Sequence, residues 1–174
     1  METVKKYLNK RTLITGDVKS GKTARTLEIL REFIQAGYAD RIAVIDMAPD
    51  PVRDIGGKIT PPADAPLLYL TATITPPRLT GVDEAHTRRL AAQNARAIEA
   101  LFSSLRQQPK EVLFVNDASL YLQAGDLKTF LTILSTASTQ IINAYYGSAF
   151  ADSPLTRREK RLIEELMRTC DIII

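Results

Sequence analysis

Tryptophan is absent from this chain, and cysteine and histidine occur once each, as Cys170 and His86. A lone cysteine cannot close an intramolecular disulfide, and one Cys with one His cannot supply the ligand set of a structural zinc site. Cys170 reads instead as a small residue beside a buried strand. Long apolar runs are missing too. Nothing approaches the ~20 residues that cross a bilayer, and the opening METVKKYLNKR lacks the apolar centre of a secretory signal. A cytoplasmic protein with no membrane partner is expected. Nor does charge of one sign dominate. Lys and Arg total 23 against 20 Asp and Glu, mixed along the chain, so a pI near 9.0 does not imply a nucleic-acid partner. The most basic window, Arg157, Arg158, Lys160 and Arg161, is interrupted by Glu159 and reads as a solvated helix face.

With 174 residues, 45% of them hydrophobic, the chain is long enough for one self-sufficient core. Residues 1–174 are expected to form a single domain. Residues 11–15 (RTLIT) are β-prone and apolar and break at Gly16, after which 22–36 carries helical spacing, with Leu27, Leu30, Phe33 and Ile34 as its buried stripe. Gly37 suits the left-handed position that ends such a helix, and 41–46 (RIAVID) reads as a buried strand. Prolines and glycines make 47–66 and 75–81 loops. Further strands are predicted at 67–72, 112–117, 139–145 and 171–174, with helices at 82–107, 126–136 and 157–168, the last opened by a Thr156–Glu159 capping box. Strands alternating with helices predict a three-layer α/β sandwich with a mainly parallel sheet.

Residues 16–23, GDVKSGKT, satisfy G-x-x-x-x-G-K-[ST] between a predicted strand and a predicted helix. Gly16 and Gly21 permit a turn whose successive N–H groups point inward, and the helix beginning near Lys22 adds the positive end of its dipole. Asp17, Val18, Lys19 and Ser20 supply the rest of this cradle. ATP or another nucleoside triphosphate is the expected ligand, with Lys22 on the β- and γ-phosphate oxygens and Thr23 on Mg²⁺. The strand VLFVND ends in Asp117 after apolar residues, which makes that carboxylate the expected magnesium partner.

This chain resembles the P-loop NTPases, and its order of pieces resembles their RecA-like branch over nearly its whole length. IDMAPDP (45–51) is similar to the stretch after the second strand of bacterial RecA, and VNDASLYL (115–122) to its Walker B strand. The resemblance implies a P-loop RecA-like core, and it makes Asn143 the polar residue that contacts the γ-phosphate region. It also places Ala48 where that family carries a general-base glutamate, so rapid hydrolysis is not expected. Asp46 and Asp50 are the nearby carboxylates able to take a proton, Asp46 being the candidate retained with Lys22, Asp117 and Asn143. No long mobile loop or added basic domain argues for recombination. NAYYGSAF (143–150) is similar to a segment of adenosylcobinamide kinase, a RecA-like phosphotransferase.

Two functions follow from these readings. One is a magnesium-dependent NTPase or phosphotransferase whose small-molecule acceptor is held by the proline-rich segments. The other is a nucleotide-dependent switch acting on a protein partner, or on a second copy in a homo-oligomer, with Arg78, Arg157 or Arg158 as the interface arginine. His86, at a predicted helix start, reads as a solvated or capping residue.

Overall fold

The computed structural model describes residues 2–55 and 57–174. Helix α1 (Glu2–Lys5) precedes β1 (Arg11–Gly16), α2 (Lys22–Gln35) and β2 (Ile42–Asp46), with a 3-10 turn at Ala39–Arg41. Next come β3 (Leu68–Thr71), α3 (Pro77–Thr80) and the long α4 (Glu84–Gln107). The chain continues through β4 (Val112–Asn116), α5 (Ser119–Leu122), α6 (Leu127–Leu134), β5 (Thr139–Tyr145), α7 (Pro154–Met167) and β6 (Ile172–Ile173). The strands form one six-stranded sheet in the order β3-β2-β4-β5-β1-β6, parallel at every pairing.

Strands β2, β4 and β5 are buried at every position, as parallel strands covered on both faces must be. The two-residue side-chain period sends alternate residues to opposite layers. Ile42, Val44, Val112 and Phe114 pack with Ile29, Leu30 and Phe33 of α2 and with Tyr7. Ala43, Ile45, Leu113 and Val115 pack on the other side with Phe102 of α4, Phe130 of α6 and Ile163 of α7. A sheet sandwiched between two helical layers results. No described helix is long and apolar enough to cross a membrane.

Local chemistry sets the element ends. Gly37 lies at φ 87, and Gly37 N–H and Tyr38 N–H donate to Ile34 O and Phe33 O, closing α2 as expected. Asp83 caps α4 by accepting from His86 N–H at 2.7 Å, while His86 Nδ1 accepts from Val82 N–H at 3.1 Å. His86 is thus a capping residue.

Two expectations need correction. The fully buried stripe of α2 is Thr26, Ile29, Leu30 and Phe33, with Leu27 and Ile34 half-buried beside it. Thr26 belongs there because its hydroxyl donates to Lys22 O and accepts from Asn143, so a polar residue occupies a core position that apolar spacing cannot identify. Helix α7 begins three residues before its predicted start, with Ser153 as cap accepting from Thr156 N–H at 3.1 Å and Pro154 in its first turn. No Thr156–Glu159 capping box forms, because both side chains accept hydrogen bonds from Arg78. The proline-rich segments hold no long regular element, as expected, only a Val52–Ile55 bridge and a helical turn at Pro77–Thr80.

Candidate functional site

Because all strands run the same way, the residues that follow β1, β2, β4 and β5 gather at one edge of the sheet. The loop after β1 comprises Gly16–Gly21. A Cβ on Gly16 would sit 2.5 Å from Ser20 Oγ, and Gly21 lies at φ 88 with Lys19 at φ 57, so the turn depends on small or left-handed positions. Gly21 occupies the N-cap of α2 without a side-chain cap. Among the described residues, the main-chain N–H groups of Lys19, Gly21, Lys22, Thr23 and Ala24 have no hydrogen-bond partner. Those of Gly21–Ala24 are the donors that a helix start leaves open at the positive end of its dipole, and that of Lys19 belongs to the turn before it.

Lys22 Nζ folds over this turn and donates to Asp17 O at 2.6 Å. Burial lowers its pKa, while the charges of Asp117 and Asp17 act in the opposite direction. Asp17 itself turns away from the cradle. It accepts from Ser148 N–H at 3.1 Å and Val18 N–H at 2.8 Å, and these main-chain donors lower its pKa. Asp17 therefore pins the segment after β5 to the loop. Gly147 makes this contact possible, since a Cβ there would come within 2.5 Å of the Asp17 carboxyl carbon.

Asp117 stands one residue beyond β4, in the left-handed region at φ 59, which Asp tolerates better than most residues. Asn143 holds it there: its Oδ1 accepts from Asp117 N–H at 2.8 Å, and its main-chain oxygen accepts from Ala118 N–H at 2.9 Å. Asp117 Oδ1 accepts from Ser119 Oγ at 2.6 Å, and its other oxygen has no donor among the described residues. Desolvation raises the Asp117 pKa, against the Ser119 hydrogen bond and the charges of Lys22 and Arg78. A carboxylate in that condition gains from a cation at its open oxygen.

Residues 18–24, Asp117 and Asn143 line one cavity of about 340 Å³, together with residues of both proline-rich segments, including Asp54 and Arg78. Among the described residues, no group of three or more His, Cys, Asp or Glu side chains converges to hold a metal by itself. The Thr23 hydroxyl and the Asp117 carboxylate fit the sparse protein ligation of Mg²⁺, which keeps water and phosphate oxygens in its other positions.

Asp46 does not join them. It is fully buried and accepts from Ala48 N–H, Ile59 N–H, Tyr69 OH and Asn116 Nδ2 at 2.6 to 3.1 Å. With both oxygens engaged, it is a clamp for the segment after β2 and not a base in the cavity. A buried polar chain runs from it through Asn116 and Asn143 to Thr26 of α2. Ala48, 1% exposed, lies outside the cavity as well, and Asp50 is an exposed loop residue.

Arg78, one of the three candidates for an interface arginine, is neither a surface charge nor free to reach across an interface, because its side chain is held within the fold. Its guanidinium makes a bidentate pair with Glu159 at 2.8 and 3.1 Å, donates to Thr156 Oγ1 at 3.2 Å and stacks 3.9 Å from the Phe150 ring centroid. Burial raises the Glu159 pKa, and Arg78 opposes that shift. Arg157 pairs with Asp152 on the surface, and Arg158 donates to Gly125 O. Sequence reasoning missed Asp54, Ser119, Gln123, Phe150 and the role of Glu159. Only Gly147, within an aromatic-rich segment, signalled a tight approach. Matched against known protein families and curated proteins, the chain finds no counterpart.

Proposed function

We propose that this chain binds a nucleoside triphosphate, ATP or another, with Mg²⁺ over Gly16–Thr23, and transfers the terminal phosphoryl group as a RecA-like P-loop enzyme. The observation that carries this reading is the row of unpartnered main-chain donors at Lys19 and Gly21–Ala24 on a cavity that also receives Lys22, Thr23 and Asp117. Polyphosphate is the ligand whose oxygens satisfy converging N–H groups at a helix start. Lys22 would leave Asp17 O for the phosphate oxygens, where a fixed point charge stabilises the charge shift of transfer. Thr23 and Asp117 would hold the magnesium, which when bound neutralises the phosphate oxygens. Asn143 keeps the Asp117 turn in place and lines the cavity beside it.

Ala48 leaves water without the usual glutamate base, which favours an acceptor other than water. Arg78, fixed in cis by Glu159, lines the same cavity and supplies positive charge without a second subunit. A slow switch that acts on a protein partner is the second reading, since the lack of a glutamate at position 48 opposes rapid hydrolysis without choosing between the two.

Equilibrium binding of a fluorescent ATP analogue with and without Mg²⁺ tests the first step. Magnesium-dependent affinity that Lys22→Ala removes is expected; equal affinity in both proteins refutes the proposal. ATP consumption with pools of small metabolites then separates the two readings, because only a phosphotransferase is accelerated by an acceptor.

A further inference from the structure

Beside the nucleotide cavity lies a second one of about 410 Å³, bounded by the start of α4, the segment 150–153 and the start of α7. Arg78, Gln123 and Phe150 line both, so these side chains form the partition between the two spaces. The charges of the second cavity are unevenly matched. Arg78 pairs with Glu159, Arg88 with Glu84 at 3.7 Å, and Asp152 with Arg157 at 2.6 Å. Arg158 has no carboxylate within ion-pair distance among the described residues, which leaves it as the uncompensated cation of the cavity.

Unpaired polar atoms single out the same place. Among the described residues, the buried side-chain atoms without a partner are Thr12 Oγ1, Glu32 Oε2, Gln123 Oε1 and Arg158 Nε, and the residues that carry the last two line this cavity. Gln123 is 4% exposed, and its Nε2 donates to Glu159 Oε2 at 2.7 Å, which fixes which end of the amide is the acceptor. Buried polar groups are almost always paired, so a donor and an acceptor without partners just beneath the lining of one cavity point to a ligand that supplies both complements once the two side chains turn toward it.

Resting on the phosphotransfer reading above, we propose that this second cavity is the acceptor subsite and takes a small anionic alcohol. Arg158 pairs with its carboxylate or phosphate, Gln123 Oε1 accepts from its hydroxyl, and Phe150 and Leu155 cover its carbon skeleton. At the partition the hydroxyl oxygen bonds to the terminal phosphorus while the bond from that phosphorus to the β–γ bridging oxygen breaks. The electron pair leaves with the nucleoside diphosphate, and the hydroxyl proton passes to an oxygen of the transferred group. Asp17, joined to both the phosphate loop and Ser148, ties the segment that leads into this subsite's wall at Phe150 to the nucleotide cradle.

Calorimetric titration of the intact chain with glycerate and with glycerol 3-phosphate, with and without a saturating non-hydrolysable ATP analogue and Mg²⁺, tests the inference. At least one probe is expected to bind the nucleotide-saturated protein, and which of them binds tells carboxylate from phosphate. Arg158→Met is expected to weaken binding at least tenfold, and Arg158→Lys to restore most of it. Ala151→Trp, placed on the exposed segment to fill the cavity, is expected to abolish it. All three variants should keep nucleotide affinity within twofold. If Arg158→Met does not fold, Ala151→Trp decides. Neither probe binding, displacement of the probe by the nucleotide analogue, or binding indifferent to Ala151→Trp overturns the subsite. Probe binding without nucleotide binding instead overturns the phosphotransfer reading and leaves an anion site, whereas nucleotide binding without probe binding overturns this inference alone.

Discussion

At Lys22 and Asp117 burial opposes the charged form of each side chain, which under the proposed function a charged ligand would relieve. Lys22 is held by a carbonyl of its own loop, a bond that a phosphate oxygen can replace at little conformational cost. Lys22→Ala is expected to raise the Kd for the magnesium nucleotide by about two orders of magnitude, since a charge-assisted contact is worth about 1.5–3 kcal/mol. Its circular dichroism should be unchanged. Asp117→Asn should separate stability from function. A carboxyl whose pKa is raised on folding favours the folded state below its unfolded value, and that contribution is lost as pH rises through the folded value. Asparagine tolerates the same left-handed backbone and removes the charge. Asp117→Asn is therefore expected to be more stable than the parent by about 1 kcal/mol at neutral pH. The gain should vanish as the pH falls below about 4, while magnesium-dependent binding is lost at any pH. Urea melts across that range check the first claim, and nucleotide titration with and without Mg²⁺ checks the second.

Among elements, the junction of α3 with α7 is the one that sequence patterns concealed. Arg78 and Glu159 lie 81 positions apart and meet as a buried bidentate pair. Helical spacing shows which residues share a face but not which face is covered by a distant loop, so Glu159 read as part of a solvated stripe. Glu159→Ala would leave the buried guanidinium without its carboxylate, and is expected to cost about 3 kcal/mol, read as a fall in urea midpoint. Asp46 presents the same difficulty. As an Asp closing a strand it resembled a proton acceptor, yet its carboxylate is consumed in holding the segment after β2. Asp46→Ala is expected to destabilise by about 3 kcal/mol through orphaned donors, with nucleotide affinity falling only as far as folding does. A variant that kept its stability and lost turnover would return Asp46 to the chemistry. By contrast, α2 and its loop were legible because an unbroken glycine-bearing motif and one amphipathic helix are local properties.

At the level of the whole molecule, the proposed nucleotide binding would be linked to folding. A nucleotide that binds only the folded chain stabilises it by about 2.7 kcal/mol at a hundredfold excess over Kd. In a domain of this size that corresponds to a Tm rise of about 5–10 °C. The rise should require Mg²⁺ and should be absent in Lys22→Ala. The buried polar chain from Thr26 through Asn143 and Asn116 to Asp46 joins the helix after the phosphate loop to the segment after β2 across the strand ends.

The sequence by itself determined the alternation of strands and helices, the parallel sheet and the place of Gly16–Thr23, because apolar period and turn chemistry act over a few neighbouring residues. Only the tertiary structure decided that Asn143 of β5 holds the turn at Asp117, that Asp46 is a clamp, that Arg78 is held within its own chain, and that Gln123 lies between two cavities. Those relations depend on which strand ends become neighbours. The order β3-β2-β4-β5-β1-β6 is set by packing of the whole core and not by any local stretch of it.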